Sequence, residues 1–80
     1  MAVLNTRVKN LDPLTKQVVE YVLNNGSSDA IKIQFAFNIE LERAGTVLDD
    51  CVAKGYLNQK GYFEYEPNLT QDEFDKIFNN

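Results

Sequence analysis

The chain has 80 residues, 44% of them hydrophobic and 25% charged, with a net charge of −4. This is ordinary globular composition, with room for one small core and little beside it for a deep catalytic cleft. It holds no histidine and one cysteine, Cys51, which removes an internal disulfide together with the commonest general base and zinc ligand.

The acidity is uneven. Residues 1–57 carry six basic groups (Arg7, Lys9, Lys16, Lys32, Arg43, Lys54) against seven acidic ones (Asp12, Glu20, Asp29, Glu40, Glu42, Asp49, Asp50). Residues 58–80 set Lys60 and Lys76 against Glu64, Glu66, Asp72, Glu73 and Asp75. A broad basic patch, the footprint of a strong nonspecific DNA binder, is missing. The N-terminus has neither the basic nor the apolar region of a signal peptide, and no apolar run approaches the ~20 residues of a membrane span. The chain therefore reads as a cytoplasmic protein with no membrane partner, whole rather than a fragment. It reads as a single domain over 1–80: an N-terminal arm over 1–11, a core and wing over 12–66, and a C-terminal helix over 67–80.

Residues 1–11 carry Val3, Leu4, Val8 and Leu11 without a period. Asp12-Pro13 predicts a helix start, Asp as N-cap and Pro in the first turn where its missing N–H had no partner. Leu14, Val18, Tyr21 and Val22 then fall at i, i+4, i+7 and i+8, one apolar face. Asn24-Asn25-Gly26-Ser27-Ser28 ends that helix. Next, Ile31, Ile33, Phe35, Phe37 and Ile39 alternate with Lys32, Gln34, Ala36 and Asn38, and period two favours a half-buried strand. A helix opened by Ser28 or Asp29 competes; it would bury Ala30, Ile33 and Phe37 and leave Ile31 and Phe35 on another face.

Residues 40–54 predict a helix with Leu41, Ala44, Val47, Leu48, Cys51 and Val52 on one stripe. Glu40 and Glu42 suit its positive end, and Lys54-Gly55 closes it. Gly45 inside it costs about 1 kcal/mol relative to Ala; close helix packing is the plainer reason for it, close approach of a ligand the other. Tyr56-Leu57, a turn over Asn58-Gln59-Lys60-Gly61 and a strand over 62–66 predict a β-hairpin ended by Pro67. Thr70-Gln71-Asp72-Glu73 is a capping box opening a last helix with Phe74, Ile77 and Phe78 on one face.

Helix, helix or strand, helix, hairpin is the order of a winged helix. In register with it stand Asp12-Pro13-Leu14, then Gln34, Phe37 and Ile39, then Arg43-Ala44-Gly45-Thr46, and Gly55-Tyr56-Leu57. In these residues the chain resembles the gamma-domain family of the bacterial DNA translocase FtsK, a winged-helix module that recognises short polar sequences on the chromosome. The alignment runs ungapped from Asp12 to Leu57. The resemblance implies helix over 29–37. It also implies an α/β (α+β) fold of winged helix-turn-helix type, a three-helix core with a β-hairpin wing and a short C-terminal helix. The departures fall on the DNA-contact positions. The family carries arginines where this chain has Phe35, Ala36, Asn38 and Thr46, and Asn where it has Glu42; Arg43 is kept.

Three functional classes follow. As a DNA binder, the chain would read duplex DNA through Asn38, Glu42, Arg43 and Thr46, with Lys32 and Lys60 on phosphates, binding weakly or with a partner's help. Alternatively it is an interaction module for another protein or a second copy, through Ile31 and Phe35 or through Phe74, Ile77 and Phe78. For the last helix, folding back on the first to enlarge the core is the simpler role, and there it could cover Ile31 and Phe35. The enzyme class is excluded. Cys51 lies on an apolar stripe with no histidine to activate it. Asp49 and Asp50 are helix neighbours that point apart, and the acids at 72–75 suit a helix start. No cofactor or metal motif is present, and none is expected to bind.

Overall fold

The computed structural model describes residues 13–79. The expected arm over 1–11 and the Asp12 cap lie outside the described residues. In chain order the elements are α1 (Pro13–Asn25), β1 (Ser28–Asp29), α2 (Ala30–Phe37), α3 (Leu41–Ala53), β2 (Leu57–Lys60), β3 (Glu64–Pro67) and α4 (Gln71–Phe78). Three helices carrying a small antiparallel sheet with a hairpin wing form the α+β winged-helix arrangement, and α4 is added at the end.

The core takes Val18, Val19 and Val22 from α1, Ile33 from α2, and Ala44, Val47, Leu48 and Cys51 from α3. Leu57, Tyr65 and Phe74 complete it. The buried face of α1 is rotated from the predicted one: Thr15 and Val19 are inside, while Leu14 and Tyr21 are half-buried at its border. Cys51 is plain core.

Alternation misleads over residues 30–37, which are helical. Asp29 sets the start: it is extended, and its carboxylate accepts the Lys32 N–H at 2.8 Å. The core then takes Ile33 fully, with Ala30 and Phe37 packed beside it, as the competing helix required. Asn38 ends the helix in the left-handed region (φ 55°), where its N–H donates to the Gln34 carbonyl. Asn tolerates this conformation better than any other residue but Gly.

One strand was not predicted. The two residues of β1 pair antiparallel with β3, Ser28 opposite Tyr65 and Asp29 opposite Glu64, so the sheet order is β1-β3-β2. The wing is also shifted. Asn58, Gln59 and Lys60 belong to β2, and the turn is 61–63, with Gly61 at φ 76°. Pro67 is the last residue of β3, opposite Leu57.

The capping box of α4 is complete. The Glu73 N–H donates to Thr70 Oγ1 at 3.2 Å, and the Thr70 N–H to Glu73 Oε1 at 2.9 Å. This helix packs back on α1 and delivers Phe74 into the core. Phe78 stacks edge-on against Tyr56 with ring centres 5.2 Å apart. It does not cover Ile31 and Phe35, which stay exposed.

Candidate nucleic-acid interface

The helix-turn-helix consists of α2, the turn at 38–40 and α3. Four buried side chains, Ala44, Val47, Leu48 and Cys51, hold α3 against the core. Its opposite face therefore carries Glu42 and Thr46, with Arg43 on its flank, all exposed and within little more than one turn. The first turn is acidic. Glu40 is the N-cap residue without a side-chain cap bond, and Glu42 follows it. These carboxylates stabilise the helix end but repel a phosphate there.

Thr46 Oγ1 donates to the Glu42 carbonyl at 2.9 Å. Its proton is thereby used within the helix, which leaves the hydroxyl as an acceptor and its methyl as an apolar contact.

The sheet fixes the wing against α3. Tyr65 Oη donates to Asp49 Oδ1 at 3.3 Å, long for an O–H···O bond. Burial raises the Tyr65 phenol above its usual range, and the neighbouring Asp49 carboxylate adds to this through its charge and the hydrogen bond. Asn68 clamps the base of the wing. Its amide donates to the Gly55 carbonyl at 2.9 Å and accepts from Asn58 Nδ2 at 3.0 Å, while its N–H donates to the Tyr56 carbonyl. In the sequence Asn68 shows only a chance glycosylation triplet, so this role was not legible. At the end of α3 the Lys54 ammonium meets Asp50 at 2.7 Å; that hydrogen bond raises its pKa. Both groups are partly exposed, so the pair adds little.

The six residues expected to face DNA are not one cluster. Glu42 and Thr46 share the outer face of α3, and Arg43 is exposed at its edge. Lys60 ends β2 on the wing, directly across from Glu64. Lys32 and Asn38 stand at opposite ends of α2, roughly 9 Å apart along its axis. Asn38 also has a backbone reason to be Asn. In the alternative set, Ile31, Phe35 and Ile77 are exposed, whereas Phe74 is in the core and Phe78 is half-buried against Tyr56.

Between α2, α3 and the wing tip lies a feature that the sequence did not announce. Ala30, Ile31, Leu41, Gly45 and Phe63, with Asp29, line an open apolar groove of about 530 Å³. A Cβ added at Gly45 would meet nothing within 4 Å. Gly45 is therefore not a close-packing glycine, and the preferred reading of it is overturned. No helix among the described residues is long and apolar enough to cross a membrane.

No family model matches the chain, and no solved structure matches it. Among curated proteins it is 32% identical over 54 residues to the DNA translocase FtsK of Haemophilus ducreyi, a match covering 68% of this chain and 6% of that protein. The resemblance seen in the residues is thus also found by direct comparison: this winged-helix chain is similar to a short segment of a DNA translocase, spanning about 6% of its length.

Proposed function

We propose that the chain is a non-catalytic winged-helix factor of the cytoplasm that associates with double-stranded DNA and plays a regulatory part there. In this reading α3 lies in the major groove with Arg43 and Thr46 towards base edges, and Lys32 and Lys60 pair with phosphates. The observation that supports it is α3 itself. Four core residues fix the helix from behind, while Arg43 and Thr46 are exposed on a segment similar to a DNA translocase.

The same geometry makes the association weak. Two or three phosphate contacts give a salt slope of about −1.8 to −2.7, so raising salt fourfold costs about 12–40-fold in affinity. Glu40 and Glu42 oppose the contact further. Fluorescence anisotropy with a mixed-sequence duplex at low salt tests the reading. Arg43→Ala is expected to lower affinity at least about tenfold. An unchanged affinity would remove α3 as the reading helix.

A second reading is favoured by one observation. Ile31 and Phe35 are exposed on α2, on the face where the resembling family carries polar and basic residues, which suits a protein contact better than a phosphate backbone.

A further inference from the structure

We infer that the wing tip is an apolar wedge for DNA: Tyr62 and Phe63 enter the minor groove beside the site of α3 and open a base step there. The inference rests on the DNA reading above and adds how the wing takes part in it. The turn at 61–63 carries two adjacent aromatic residues, where turns ordinarily carry Gly, Asn, Asp or Ser. Tyr62 is 88% and Phe63 79% exposed, the two most exposed large apolar side chains among the described residues. Neither is packed on the core. Their ring centres lie 6.2 Å apart with the planes 47° apart, so neither ring covers the face of the other.

The rings sit on a fixed finger. Gln59 Nε2 donates to the Tyr62 carbonyl at 2.9 Å, Gly61 takes φ 76°, and Lys60 pairs with Glu64 in the last rung before the turn. Asn68 clamps the other end of the hairpin. Little has to be ordered when the tip meets a ligand. The finger also stands next to α3: Phe63 lines the same groove as Leu41 and Gly45. At about 100° per residue, Leu41 and Gly45 form the stripe beside Glu42 and Thr46. With α3 in the major groove, the tip is thus placed towards a neighbouring minor groove.

Shape and charge then point to bases. A minor groove about 6 Å wide admits side chains but not the hairpin itself, so what can enter is the pair at the tip. A protein interface wants a broad patch of about 800 Å², whereas this is a narrow projection. Charge does not account for a contact here, because the hairpin carries Lys60 against Glu64 and Glu66. Apolar side chains inserted between base pairs unstack and kink a duplex without needing charge. Pyrimidine–purine steps such as TA yield most easily, and A-tracts resist.

The test uses the whole chain and two duplexes carrying 2-aminopurine, a base that brightens when it is unstacked. One has the probe at a central TA step, the other within an A-tract. Anisotropy reads binding and fluorescence reads unstacking on the same samples. The wild-type chain should brighten the TA duplex and affect the A-tract duplex less. Tyr62→Ala and Phe63→Ala should each abolish most of the brightening and weaken binding to the TA duplex at least about fivefold. Their salt slope should stay that of the wild type, since no phosphate contact is removed. Circular dichroism checks that these exposed substitutions leave the fold intact. Ile77→Ala, which trims an exposed apolar side chain on α4, should change neither readout. Wild-type binding without brightening would overturn the wedge and leave the DNA reading standing. So would wing variants that bind and brighten like wild type, which would assign the tip to a protein contact instead. No wild-type binding to either duplex at low salt would overturn the DNA reading and the wedge with it.

Discussion

Replacing Phe74 by Ala asks whether α4 belongs to the core or merely follows it. Phe74 is fully buried and is among the largest of the buried side chains, and its ring centre lies 4.9 Å from that of Phe78. Deleting a buried Phe costs about 3–5 kcal/mol, the lost transfer energy plus the cavity left behind. A chain of this length has about 4–12 kcal/mol of total stability. The single change therefore removes between a quarter and all of it, and lowers the melting temperature by about 12–40 °C. Urea denaturation followed by far-ultraviolet circular dichroism reads the loss, with Phe74→Leu as the control that keeps most of the volume and costs about 1 kcal/mol. A Phe74→Ala protein within 1 kcal/mol of wild type would refute the placement of α4 in the core.

Two more outcomes are expected. Asn38→Ala forces a Cβ-bearing residue without a compensating polar group into the left-handed region, and should cost about 1 kcal/mol by the same denaturation assay, while Asn38→Gly should be nearly neutral. Tyr65 has a folded-state pKa raised mainly by burial, so the fold favours the protonated phenol. Its contribution is complete below the unfolded value near 10 and is lost as pH rises through the higher folded value. Urea midpoints should therefore fall more steeply above pH ~10 for wild type than for Tyr65→Phe, which has nothing to ionise; parallel curves would count against the burial argument.

The elements legible in the sequence are those whose hydrophobic period and end signals agree. In α3, Ala44, Val47, Leu48 and Cys51 mark the buried stripe that forms. In α4, Thr70 and Glu73 mark a capping box that forms. The exception, α2, has its apolar residues at every second position because Ile31 and Phe35 are not spent on the core. A pattern read as a buried strand face is a helix with an exposed apolar side, and only the register shared with a DNA-translocase module pointed that way. At the wing, Tyr62 and Phe63 look like strand residues but lie in the turn after Gly61. No local signal marks β1, since two residues form a strand only because β3 passes beside them. The groove was illegible for the same reason: Ile31, Leu41 and Phe63 come from three elements, and only the folded chain brings them together.

The proposal that α3 reads DNA is tested most directly by an amide chemical-shift titration of labelled protein with a mixed-sequence duplex, at low and then near-physiological salt. Shifts concentrated on residues 40–47 and around Lys60, shrinking as salt is raised, are the expected result. A diffuse response, or none at low salt, would contradict it.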